Sequence, residues 1–209
     1  MPDERRRVRW EDVAMTAAGQ IRAQGIDRLD LEEIAASLNV DQDAIRYWFN
    51  DETELLRSIM QIRQRWFLDE ADARLAPLAT HTEKLAALLE LCVADHDVTY
   101  WIELWKLGVR EERARQARQT LAGAYRDLFA RLIRAGQRSG EFAAVHPDQV
   151  ALVLVAMVVG LSVEVTVSDP ESSRERSDAM HAVLVDASQR LLEIELPPVR
   201  SDSDSGPPA

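Results

Sequence analysis

Two short amphipathic segments with almost nothing between them constrain this chain more than any other feature. Leu31, Ile34, Ala35 and Leu38 recur at helical spacing, opened by Asp30 with Glu33 three residues on in the capping-box arrangement. That stripe ends near Asn39, and Asp41 can already cap another helix. In this next helix Ile45, Trp48 and Phe49 form the inward face, while Gln42, Asp43, Arg46 and Tyr47 point outward. An upstream stripe of Trp10, Val13, Ala14, Ala17 and Ile21, stopped by Gly25, completes a three-helix head with a helix-turn-helix at its centre.

Downstream, Asp51 and Glu54 repeat the capping-box spacing before a long helix with the stripe Leu55, Ile59, Ile62 and Trp66. This helix is expected to run to about Leu75 and to be ended by Pro77. Further helices are predicted over 82–96, 99–110, 113–139, 147–166 and 173–195, with no alternating strand between them. Only 8 Gly and 8 Pro occur in 209 residues, and Ala, Leu, Glu and Arg are in excess, so the expected fold is all-α with about nine helices. The Val-rich stretch near Val150 favours strand by propensity alone, but Pro147 suits a helix first turn. Its apolar run from Val150 to Val163 spans 14 residues and stops at Glu164, short of the roughly 20 that cross a bilayer, so a buried helix is expected and no membrane partner. The expected domains are an arm and helix-turn-helix head over 1–52, a larger helical domain over 53–196, and a polar, Pro-rich disordered tail over 197–209.

Several chemistries lack their residues. Cys92 is the single cysteine and no Cys and His spacing suggests zinc, so neither a disulfide scaffold nor a metal site is expected. No phosphate-binding glycine loop, nucleophile elbow or paired Glu-x-x-His is present, and Asp178 with His181 is a lone match, so the chain reads as no enzyme and no cofactor is expected. The start, MPDERRRVRWED, lacks the apolar core of a signal peptide, and a reducing cytoplasm is the expected compartment. A usage of 23 Arg against 2 Lys points to a GC-rich bacterial genome.

The stretch from Trp10 through Met60 resembles the DNA-binding head of TetR-type bacterial regulators. The resemblance rests on Gly25 after the first helix, the run LEEIAASLNV over 31–40, and Ile45 with Phe49 before Leu55. The stretch from Trp101 to Phe142, with the later apolar helix ending before Ser168, is also similar to the C-terminal domain of the choline-responsive branch. This likeness implies a ligand-responsive regulator, more often a repressor, whose remaining helices form a ligand-binding and homodimerisation domain. It further implies that the helix from Asp41 to Phe49 enters the major groove of a palindromic operator in double-stranded DNA. Outward polar side chains there meet base edges: Arg46 can grip guanine, Gln42 can read adenine, and Tyr47 offers a hydroxyl to phosphate and a ring to a thymine methyl.

Departures from that family are as informative as the agreement. Where the family commonly has Ser or Thr, an aromatic residue and a phosphate-binding Lys, this chain has Asp41, Arg46 and Glu52. Residues 1–60 carry 8 Arg and no Lys against 13 Asp and Glu, a net charge of −5 within a chain of −11. Each missing phosphate-binding cation removes about one unit from the salt slope of DNA binding, so binding is expected to be weak or unusually dependent on sequence. Arg5, Arg6, Arg7 and Arg9 offer compensation as a basic arm that can follow phosphates or enter a minor groove. An alternative is a degenerate member of the same fold with weak or no DNA binding, acting as a ligand- or protein-binding dimer.

The effector site expected from sequence is the cluster of His96, Tyr100, Trp101, Glu103 and Trp105. Trp101 and Trp105 lie one helical turn apart, and two indoles near a carboxylate can hold a cationic or apolar small molecule. The same spacing equally describes tryptophans that fill a core, and Glu103 lies off their shared face. Glu164, at the end of an apolar helix, reads more readily as an exposed carboxylate. The helices over 147–166 and 173–195 are the candidates for a homodimer interface.

Overall fold

The computed structural model describes residues 9–49, 51–95 and 97–197. Arg5, Arg6, Arg7, His96 and the tail beyond Pro197 therefore lie outside the described residues. Among those described the fold is all-α, with nine α-helices: α1 Trp10–Gln24, α2 Leu31–Leu38, α3 Gln42–Trp48, α4 Glu52–Leu75, α5 His81–Ala94, α6 Thr99–Gly108, α7 Glu112–Ser139, α8 Pro147–Thr166 and α9 Pro170–Leu192. A 3₁₀ turn over Ile26–Arg28 joins α1 to α2. The chain forms two compact units, one of residues 1–68 and 98–124 and the other of 69–97 and 125–209, so that α4 and α7 contribute to both.

Local capping decides where the head helices begin and end. The Asp30 side chain accepts the backbone N–H groups of Glu32 and Glu33, two of the orphan donors that open α2. Gln20 of α1, rather than Glu33, completes this cap: its Oε1 accepts the Asp30 N–H at 3.1 Å, tying the turn to the first helix. Asn39 closes α2 in the left-handed conformation at φ 53°, and Asp41 reopens the chain as α3 by accepting the Asp43 N–H. The first unit is then sealed by one apolar cluster. Val13, Ala14, Ala17, Ala18 and Ile21 of α1 meet Ile34 and Ala35 of α2, Ile45 of α3, Leu55, Leu56 and Ile59 of α4, and Tyr100 and Leu104 of α6.

One expected core residue is corrected here. Phe49 packs against the cluster, but Trp48 is 38% exposed and stands edge-on to Tyr47 with ring centroids 5.1 Å apart. Three residues on from Ile45, Trp48 falls about 60° around the helix from the anchor. Phe49, in extended backbone at φ −133° just past the helix end, is the residue turned back to the core.

The second unit packs α5, α8 and α9 together. Thr80 and Glu83 form a full capping box at the start of α5, one residue before the expected start, while α9 opens three residues early because Asp169 caps Ser172 and Pro170 occupies its first turn. Burial pushes the Cys92 thiol up to about 12, with Asp95 adding to the effect, which leaves an inert side chain. Over its full 20 residues α8 is, by length and composition, apolar enough to cross a bilayer, and only 33% of its most apolar window is buried in the chain. Val150, Ala151, Leu154 and Val165 face inward, while Leu152 and Val153 are exposed on the single chain.

A carboxylate fixes the start of α5 from a distant turn. Gly140 at φ 79° ends α7, and Gly136 leaves room for the Phe142 ring, whose atoms would lie 2.3 Å from an added Cβ. This turn carries Glu141 to the first turn of α5, where it accepts from the Thr82 N–H at 3.0 Å, the Thr82 hydroxyl at 3.2 Å and His81 Nδ1 at 2.6 Å. Burial raises the Glu141 carboxyl, but the hydrogen bonds from His81, Ser139 and Thr82 outweigh it and lower the group to about 2. A carboxyl held below its ordinary 4.5 adds stability above that pH and loses it as pH falls toward 2. Denaturant midpoints measured across this range should fall for the wild type more steeply than for Glu141→Gln, which lacks the titrating group.

Candidate nucleic-acid interface

The recognition-helix candidate is α3. Ile45, 1% exposed, fastens it to the core and thereby sets the opposite face outward. Arg46 is exposed, Tyr47 is 79% exposed and Gln42 is half-buried. Trp48, exposed beside Tyr47, joins them on the solvent side. Arg9 stands at the N-cap of α1 with an exposed guanidinium 3.5 Å from Asp12.

Acidic residues flank α3 on both sides. Asp41 and Asp51 are occupied as helix caps, accepting from the N–H groups of Asp43 and Glu54 at 2.9 and 2.8 Å. Glu52 is different. Burial raises its carboxyl above the ordinary value, and Asp27, Glu111, Asp51 and Glu103 raise it further. An acid among acids stands where the resembling family carries a cation.

The expected effector cluster is spread over different environments. Tyr100 is buried and its hydroxyl donates to the Ala18 carbonyl at 3.0 Å, with the Arg63 guanidinium 5.3 Å from its ring centre. Glu103 is 8% exposed, accepts from Lys106 Nζ at 2.8 Å, and lies 3.4 Å from where a side chain at Gly25 would begin. Lys106 also reaches Asp27 at 3.0 Å, and the hydrogen bonds to Glu103 and then Asp27 hold its ammonium above the ordinary value. Trp101 is half-buried against the core of the first unit, and Trp105 is half-buried too. Tyr100, Trp101 and Glu103 thus pack on the head.

The chain matches the family of BetI-type transcriptional repressors, in their C-terminal part, over residues 77–190. Among solved structures it is similar to a transcriptional regulator from Saccharomonospora viridis in complex with choline, at 22% identity and TM-score 0.74, covering 88% of this chain and 96% of that one. A TetR-family regulator from Rhodococcus sp. gives 19% identity and TM-score 0.73 over 88% and 97% of the two chains. For a TetR regulator from Haloarcula marismortui the values are 15% and 0.75, with the same coverage. At these identities the likeness establishes the all-α regulator fold. A comparison with curated proteins finds no match.

Removing Lys106 leaves the Glu103 carboxylate without its ammonium partner in a mostly dry site. Lys106→Ala should therefore destabilise the protein by about 1–3 kcal/mol. Adding Glu103→Gln should recover most of that loss in chemical denaturation, because a neutral amide is less costly to bury.

Proposed function

The chain belongs to the family of BetI-type transcriptional repressors, and from that premise we propose that it is a cytoplasmic, ligand-responsive repressor that binds a palindromic operator as a homodimer. The observation that carries this reading is α3: a capped helix, fastened by Ile45, with Arg46 and Tyr47 free to meet base edges. Gln42 and the arm with Arg5, Arg6, Arg7 and Arg9 are proposed to complete the contact, the arm by following phosphates.

Dimerisation is supported by the apolar positions that the chain leaves open on its last two helices. Leu152 is 51%, Val153 43% and Val183 46% exposed, and a second copy burying them would remove the largest apolar exposure of α8 and α9 from water. The effector is proposed to be a small molecule. Choline in the Saccharomonospora viridis structure makes an ammonium cation the first compound to test, with Trp101 and Trp105 as the aromatic surfaces retained from the sequence. A second reading, a ligand-binding dimer that has lost DNA, draws on the acidic surroundings of Glu52.

Selection of duplexes from a random pool at low salt separates the two. A palindromic winner is expected, and Arg46→Ala should weaken it by about 1–3 kcal/mol, confined to one base position per half-site. Absence of enrichment favours the second reading. Independently, Val153→Glu should shift the protein from dimer to monomer in sedimentation velocity while leaving its helical circular dichroism unchanged.

A further inference from the structure

Within the first unit, α4 and the start of α7 are tied at two points and stand apart between them. At one end the Thr53 hydroxyl donates to Glu111 Oε2 at 2.8 Å; at the other, Gln64 Nε2 donates to the Leu121 carbonyl at 2.7 Å. Ala117 and Thr120 are too short to fill the interval, and a cleft of about 450 Å³ remains, within the size range of small-molecule sites. Its walls carry two guanidiniums, Arg57 and Arg113, each facing a lining carboxylate, Glu54 and Asp51 respectively, and its apolar base is formed by the buried Ala117 and Leu121.

Among the described residues both guanidiniums make only long contacts, and both are open to solvent, with 83% of the Arg113 and 41% of the Arg57 side chain exposed. Arg113 lies 3.5 Å from Asp51, while Arg57 lies 3.6 Å from Glu54 and 3.4 Å from Gln61. A good charge-assisted bond runs to about 2.7–2.9 Å, and a guanidinium prefers two parallel ones to a single carboxylate. Asp51 also accepts the Glu54 N–H at 2.8 Å, so its contact with Arg113 is shared with its role as the cap of α4. The two fixed ties hold the walls open in advance, which lowers the ordering cost of a ligand.

We propose that this cleft binds a small carboxylate-bearing molecule, the carboxylate held by Arg57 and Arg113 and a short aliphatic segment resting on Ala117 and Leu121. Because Arg113 reaches Asp51, the cap of α4, occupancy acts on the helix that follows α3. That consequence rests on the regulator reading; the binding itself does not.

Titration of the full chain with succinate, followed by arginine side-chain NMR and calorimetry, tests it. Saturable binding in the millimolar range is expected, weakened about tenfold by Arg57→Gln or Arg113→Gln. Thr120→Leu, which keeps both arginines and narrows the cleft, should weaken it as well, and the neutral analogue succinamide should not bind. No saturation by about 20 mM, or equal binding by wild type and all three variants, overturns the proposal. Succinate binding without duplex selection would leave the site standing and remove the regulator reading; duplex selection without succinate binding would do the reverse.

Discussion

The small-residue face of α1 is the constraint on which the first unit depends. Ala14, Ala17 and Ala18 are 0–3% exposed between the larger Val13 and Ile21. Alanines at these positions let α6 approach closely enough for Tyr100 to reach the Ala18 carbonyl and for Leu104 to be fully buried. The same face receives Ile34 and Ile45, which fix α2 and α3. A bulkier residue on α1 would therefore disturb α3 and α6 together. This shared core gives α6 a structural role in the head, and the Glu103, Lys106 and Asp27 bonds reinforce it.

The charge balance of the head has a structural component. Asp30, Asp41 and Asp51 each accept backbone N–H bonds at the opening of a helix, where a carboxylate also meets the positive end of the helix dipole. Their charge is partly committed to holding α2, α3 and α4 in place. Glu52 is not one of these caps, and its carboxylate neighbours make it unfavourable ground for phosphate. A head built this way has little general attraction for phosphate, so under the proposed function its selectivity would fall on the bases met by α3.

Elements set by neighbouring residues were legible in the sequence; those set by distant partners were not. Capping aspartates, Pro147 and Gly25 gave the bounds of α1, α2, α4 and α8 because each acts within a turn of its own position. The start of α9 was readable from Asp169 and Pro170, three residues before the expected start at Ser173. Gln20 as the partner of Asp30, Glu141 as a cap on α5, and Tyr100 as a ligand of Ala18 all join positions far apart in the chain, which periodicity does not encode. Trp48 failed for a different reason: at the end of a short helix, a shift of one residue decides which aromatic turns inward. The cleft between α4 and α7 arises from spacing between helices and has no sequence pattern.

The central claim is that α3 selects DNA by base contacts with few phosphate neutralisations. The most direct measurement is the affinity of the purified protein for a selected duplex and for a scrambled one across salt concentration. The account predicts a logarithmic slope shallower than about −5 for the selected duplex, with selected and scrambled duplexes kept well apart throughout. A steep slope with the two duplexes bound equally would contradict it.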